Sequence, residues 1–193
     1  VRVLDRLYFG HTGLWGIQDR AEVVVGDMRS VDPAVLDAVD AVVNLGGLSS
    51  DPTAEYNPEA TYKINTLATR DMAAACKERG IQRYVFASSC SVYDKGVLDD
   101  DANLLQTEES ELAPTATYAK SKYDAERYLI DLADEDFCQV GGEQHGIAGS
   151  LAHARDVDPQ RRQGPRHHLE GVSQGGRRVE DRLLVLLEVA VVG

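Results

Sequence analysis

Positive charge is in short supply in this chain: 20 Lys and Arg face 32 Asp and Glu over 193 residues, a net charge of −12 and an isoelectric point near 4.8. That balance repels phosphate backbones and acidic lipid surfaces, which argues against nucleic acid and membrane as partners. A small anionic ligand stays open, because a helix N-terminus binds phosphate locally whatever the global charge. Cysteine is scarce too. Cys76, Cys90 and Cys138 are odd in number and widely spaced, with no Cys-x-x-Cys pair. This excludes a disulfide framework and a structural zinc site and suits a reducing, cytoplasmic compartment. Long apolar runs are missing as well: the best, Leu183 to Val192, is broken by Glu188 and is too short for a bilayer, and no basic segment followed by an apolar run opens the chain. Finally, no Gly-x-x-Gly-x-x-Gly turn precedes the first strand pattern. Gly10, Gly13 and Gly16 have the spacing, but they follow that strand in a polar loop and read as loop glycines.

What is present alternates. Val1 to Asp5, Ala21 to Met28, Ala41 to Leu45 and Arg83 to Ser88 read as short apolar strands. Between them, Asp32-Pro33 supplies an N-cap and a first-turn proline for a short helix through Val39. Asn57-Pro58 repeats that logic for a long helix ended by Gly80, with Ile64, Leu67, Ala68, Met72 and Ala75 on one face. Strands alternating with helices imply a parallel sheet of the doubly wound α/β kind, whose ligands sit at the strands' carboxyl ends. The length suits one domain.

Tyr118 and Lys122 lie four apart in a run of good helix formers that predicts a helix from Tyr118 to Asp134, so phenol and ammonium share a face. A cation beside a tyrosine favours its phenolate and makes it a proton acceptor. The spacing is weak by itself, since composition alone gives about a one-in-five chance of some Tyr with a Lys four later. The surrounding order is more specific: an apolar strand ending in Ser88-Ser89-Cys90-Ser91-Val92-Tyr93, a long polar loop, then Pro114-Thr-Ala-Thr-Tyr118-Ala-Lys-Ser-Lys122. That order resembles the extended short-chain dehydrogenases, in particular the nucleoside-diphosphate-sugar epimerase/dehydratase group, and the resemblance runs from Val1 to about Cys138.

The resemblance implies a Rossmann-like fold, NAD as cofactor, a nucleotide-sugar substrate and an architecture compatible with a homodimer. It implies Tyr118 as acid/base, Lys122 as the cation that tunes it and holds the nicotinamide ribose, and Ser89 as the hydrogen-bond partner of the reacting oxygen. Asp5 would accept the adenosine ribose hydroxyls and disfavour the extra phosphate of NADP. Asp27 and Met28 would line the adenine pocket, and Leu45, Gly46, Gly47 and Leu48 would let the backbone approach the cofactor. Asn65 would support the surroundings of Tyr118. No metal is expected; the acids of the loop from Asp94 to Ala113 read as a solvated run, and His167-His168 lacks partners at ligand spacing. The 4,6-dehydratase branch places Thr-Asp-Glu where this chain has Ser89-Cys90-Ser91, which favours an epimerase or reductase. A non-catalytic, dinucleotide-sensing relative is the alternative, and such relatives usually lack the Tyr/Lys pair.

From Gln139 onward the composition changes. Residues 139–193 hold no Lys, Asn, Thr, Met, Cys or aromatic residue but seven Arg and four His, and seven acids balance the seven Arg. These features predict two parts: 1–138, a partial NAD-binding domain without its first strand and glycine turn, and 139–193, an atypical tail produced by a shifted reading frame. Residues 139–182 have too little apolar surface to order. The expectation is that this chain alone is inactive.

Overall fold

The computed structural model describes residues 1–17, 19–93, 110–141 and 182–187. The apolar runs of the four strand patterns form short parallel strands, and two later segments add to them: β1 (Arg2–Asp5), β2 (Glu22–Val25), β3 (Ala41–Asn44) and β4 (Arg83–Phe86), then β5 (Cys138–Gly141) and β6 (Leu183–Leu187). They make one sheet in the order β2-β1-β6-β3-β4-β5, with every pairing parallel. From β1 the chain steps outward to β2, then crosses to β3 and proceeds the opposite way through β4 to β5. This is the doubly wound α/β arrangement expected from the alternation of strands and helices.

Among the described residues, four α-helices belong to this frame: α1 (Asp51–Tyr56), α2 (Pro58–Tyr62), α3 (Thr69–Glu78) and α4 (Thr117–Leu132). One sheet face carries Leu4, Val42, Tyr84, Phe86, Leu184 and Leu186, all buried in a single cluster with Ile64, Ala68, Met72, Cys76, Ala125 and Leu129 from the helical segments. Leu184 and Leu186 are 0% and 1% exposed. Burying two such side chains contributes at most about 3–6 kcal/mol.

Three expectations change in the structure. The Asp32-Pro33 signal does cap a turn, with the Asp32 carboxylate accepting the Ala34 N–H at 2.9 Å, but the turn is a 3₁₀ segment, Pro33–Leu36, rather than a helix to Val39. Asp37 is extended and Ala38 is left-handed at φ 57°, and together they end it. The long helix from Asn57 is preceded by α1, and between α2 and α3 it widens into a π-helical stretch, Lys63–Ala68. The sheet also does not stop at residue 138. β5 starts there, and β6 sits at the centre, paired with β1 on one side and β3 on the other. The solvated loop acids at 99–101 and 108–109, the His pair at 167–168 and the expected disorder over 142–181 fall outside the described residues. Among the described residues no helix is long and apolar enough to cross a membrane, and no cluster of His, Cys, Asp and Glu could hold a metal ion.

Candidate active site

The carboxyl ends of β3 and β4 meet the first turns of α4. Ala116 gives α4 no side-chain cap, and Glu55 of α1 supplies one by accepting the Thr117 N–H at 2.9 Å. That hydrogen bond holds the Glu55 carboxyl below its usual range. One turn separates Tyr118 from Lys122, so both side chains lie on the same face. Tyr118 is half-buried, while Lys122 is 4% exposed. A buried ammonium needs acceptors. Lys122 Nζ finds the Ala87 carbonyl at the end of β4, 3.0 Å away, and the Gly46 carbonyl beyond β3, 3.5 Å away. It also stands 4.8 Å from the Phe86 ring centroid. Lys122 therefore ties both strand ends to α4.

Asn65 is the second tie. It sits on the π-helical stretch, a local widening often found at functional sites, and is completely buried. Its Oδ1 accepts the Leu48 N–H at 2.7 Å, and its Nδ2 donates to the Leu48 carbonyl at 2.9 Å and to Ser121 Oγ at 3.0 Å. Ser121 in turn donates to the Tyr118 carbonyl at 2.6 Å, and Thr66 Oγ1 donates to the Ser121 carbonyl at 2.8 Å. The turn that carries Tyr118 is thus riveted to the loop after β3. Gly47 makes that closeness possible. Its φ is 141°, and a Cβ there would lie 2.7 Å from Asn65 Oδ1 and 3.4 Å from Lys122 Nζ. Gly46 donates its N–H to Asn44 Oδ1 at 3.0 Å, fixing the start of this loop.

Past β4, a 3₁₀ turn (Cys90–Tyr93) presents the serines. Ser89 Oγ and Ser91 Oγ are 2.8 Å apart, and the Ser91 N–H donates to Ser89 Oγ at 3.3 Å. Ser88 Oγ is buried without a hydrogen-bond partner. An orphaned buried hydroxyl is costly in a folded protein and marks a position where a ligand or water belongs.

Ser89, Tyr118, Lys122, Asn65, Gly46, Gly47 and Leu48 are thereby carried by elements that converge. Asp5 and Asp27 lie across β6, on the β1–β2 side. Asp5 Oδ1 accepts the Leu7 N–H at 2.6 Å, in a turn where Leu7 adopts φ 55°. Asp27 contacts Arg29 at 2.5–3.0 Å and Arg6 at 2.9 Å, and Arg29 above all holds its carboxyl below the usual range. Met28 packs in the core at 5% exposure. The adenine-pocket expectation therefore meets a carboxylate already engaged by two guanidiniums and a buried thioether. Leu45 is 43% exposed, with its N–H spent on the Leu186 carbonyl at 3.0 Å. Sequence reasoning missed Glu55, Thr66 and Ser121 as supports. Ser121 was findable, since it occupies the serine of the Tyr-x-x-Ser-Lys pattern; Glu55 acts across 62 positions and leaves no local signal.

Comparison with known proteins agrees with this geometry. The family model described as "NAD dependent epimerase/dehydratase family" matches residues 1–142. The decarboxylating sterol-4-alpha-carboxylate 3-dehydrogenase of Mus musculus is 27% identical over 132 residues, covering 67% of this chain and 36% of that protein. UDP-glucuronic acid decarboxylase 1 of Xenopus tropicalis is 26% identical over 191 residues, covering 97% of this chain and 40% of that protein. Among solved structures, the UDP-N-acetylglucosamine 4-epimerase from Methanobrevibacter ruminantium, in complex with UDP-N-acetylmuramic acid, superposes with a TM-score of 0.65 at 25% identity, over 73% of this chain and 45% of its own. The chain thus spans less than half the length of each of these three proteins. With the family match covering well over half of the chain, and the parallel sheet, the serine turn and the Tyr118/Lys122 helix in place, this chain belongs to the NAD-dependent epimerase/dehydratase family.

Proposed function

We propose that this site epimerises a nucleotide sugar with NAD as cofactor. The observation that carries the reading is the convergence of Tyr118 and Lys122 on α4 with the Ser89–Ser91 hydroxyl pair at the end of β4, where residues 90 and 91 are Cys and Ser rather than the carboxylates a dehydration needs. The residues fit a dinucleotide at its nicotinamide side and at its adenosine ribose. Gly47, where a Cβ would crowd Asn65 and Lys122, leaves the loop after β3 free to pass close to the nicotinamide end, and Asp5 closes β1 at the adenosine end.

NAD, when bound, supplies a hydride acceptor that can return the hydride to either face of the sugar carbon. Tyr118 takes the proton of the hydroxyl on that carbon and gives it back after the face is inverted. Lys122, held by two carbonyls, favours the phenolate and binds the ribose hydroxyls. Ser89 donates to the sugar oxygen, which can only accept once it is a carbonyl. Its acceptor side is met by the Ser91 N–H. No carboxylate stands at 90 or 91 to eliminate water, which favours reduction of the keto intermediate over dehydration.

The test is product analysis by NMR on a polypeptide that carries this segment within the full length of its relatives, supplied with NAD and UDP- and dTDP-hexoses. Epimer formation without net NADH is expected. A 4-keto-6-deoxy sugar, or stoichiometric NADH, refutes the epimerase reading.

A further inference from the structure

Asp5 and Arg6 put contrary preferences side by side at the end of β1. A carboxylate there accepts the adenosine ribose hydroxyls and repels an added phosphate, whereas a guanidinium beside it is the group that takes the 2′-phosphate of NADP. The structure adds a third member. β1 and β2 end together, Asp5 pairing with Val25 and its carbonyl accepting the Gly26 N–H at 3.0 Å, and the turn after β2 brings Asp27 against Arg6. Asp27 Oδ2 stands 2.9 Å from Arg6 Nη1. The same carboxylate accepts from Arg29 Nε at 2.9 and 3.0 Å, from its Nη2 at 2.5 Å and from its backbone N–H at 2.9 Å. Both oxygens of Asp27 are thereby spent on guanidiniums. Asp5 differs: its Oδ1 accepts the Leu7 N–H at 2.6 Å, and among the described residues nothing donates to its Oδ2.

We infer that Asp27 determines which dinucleotide this site takes: by holding Arg6 and Arg29 it withholds two cations from an anionic group on the adenosine ribose, and so leaves Asp5 to select NAD over NADP. The inference rests on the cofactor reading given above. Arg6 is held from a second side as well, with its guanidinium carbon 4.5 Å over the Tyr8 ring. Arg29 meets Asp27 through Nε and Nη2 together, the paired geometry in which a guanidinium and a carboxylate bind most strongly. The Asp27 carboxyl is held below its usual range, chiefly by Arg29, so it keeps its charge at neutral pH. Charge balance points the same way. Asp5 and Asp27 cancel Arg6 and Arg29, so the two strand ends offer a phosphate no net attraction. Neutralising Asp27 leaves a net positive charge there and frees both guanidiniums. The three side chains are 21%, 29% and 36% exposed, and ion pairs near the surface contribute little to stability, so these residues can be exchanged without unfolding the chain.

The test is calorimetric titration of NAD and of NADP into the polypeptide that carries this segment within the full length of its relatives. The readout is the ratio of the two dissociation constants, because any contact Asp27 makes with the adenine is common to both dinucleotides and cancels. Asp27→Asn is expected to move that ratio toward NADP by at least about tenfold, since charge-assisted bonds from freed guanidiniums are the strong ones. Combining it with Arg6→Gln and Arg29→Gln is expected to restore the wild-type preference for NAD. A ratio that Asp27→Asn leaves unmoved, or a shift that survives the loss of both arginines, overturns the inference. Arg6→Gln alone is the second arm and needs no change at Asp27. With Arg6 withheld in the wild type, the ratio is expected to stay within about threefold, and a tenfold loss of NADP affinity relative to NAD shows that Arg6 already serves the phosphate and overturns the inference. A wild-type polypeptide that binds neither dinucleotide refutes the cofactor reading and this inference with it, whereas binding with an unmoved ratio refutes this inference alone.

Discussion

Gly47→Ala should destabilise the chain out of proportion to the single methyl added. At φ 141° the backbone of Gly47 lies where L side chains are rarely found, and holding alanine there costs about 1–3 kcal/mol. The new Cβ would also stand 2.7 Å from Asn65 Oδ1 and 3.3 Å from its Cγ. Asn65 is completely buried and bonded to Leu48 and Ser121, so it has nowhere to go without giving up a bond. Leaving the buried Leu48 N–H unpaired costs about 1–3 kcal/mol more. Together these come to roughly 2–6 kcal/mol, a large part of the ~5–15 kcal/mol that holds a domain together. With a slope near ~2 kcal/mol per molar urea, the unfolding midpoint should fall by roughly 1–3 M. Gly13→Ala is the control: nothing lies within 4 Å of a Cβ there, and its φ is not in the left-handed region. It should move the midpoint by less than about 0.3 M. If the two alanine variants unfold at the same urea concentration, the close approach of Gly47 to Asn65 is not what the structure indicates.

Three further outcomes follow from the site and core. In the full-length polypeptide, Tyr118→Phe should abolish turnover while NAD affinity stays within about threefold, since the change removes the acid/base oxygen and little volume; residual turnover above about a tenth of wild type removes Tyr118 from the role of base. Asp5, whose carboxylate closes β1, should make NAD bind at least about tenfold tighter than NADP, and equal dissociation constants by calorimetry would overturn that placement. The Cys76 thiol, fully buried in the core, is pushed up to about 12 by burial, whereas Cys90 is exposed. A disulfide reagent should therefore modify Cys90 in the folded chain and reach Cys76 only with urea; modification of both at one rate contradicts the packing.

Much of the candidate site was legible because its members are close in sequence or belong to a recognisable order. Tyr118 and Lys122 are one helical turn apart, and the serines sit at the end of an apolar strand, so helical period and strand exit put them on one helix face and at one strand end, while their expected roles rest on the family resemblance. Asn65 was placed by resemblance alone. What fixes it is a π-helical widening over Lys63–Ala68, and nothing in the pattern of apolar residues there distinguishes that stretch from an ordinary helix. Asp27 and Met28 were legible as a strand exit but not as an environment. Whether a turn carboxylate is open to a ligand depends on where guanidiniums two residues and twenty-one residues away come to rest. The same limit applies to Glu55, which caps a helix that begins far along the chain.

The central strand is the instructive failure. Leu183-Leu-Val-Leu-Leu187 is an unbroken apolar run of five, which is how a strand buried on both faces of a parallel sheet reads. In the sequence it stands among arginines and glycines, and its only visible comparison was with the length of a membrane span, which it fails. A strand's existence can be read from such a run, but its place in a sheet cannot. β6 lies between β1 and β3, elements more than 130 residues earlier, where its backbone is paired on both sides and Leu184 and Leu186 are buried in the core. Loop-closure entropy rises only slowly with length, so the long segment between β5 and β6 adds little to the cost of that pairing. The hydrogen bonds of two neighbouring strands and the burial of Leu184 and Leu186 outweigh it. The composition change at residue 139 therefore marks no end to the sheet: composition reports whether a segment can fold by itself, and a single strand paired on both sides by a sheet has no need to.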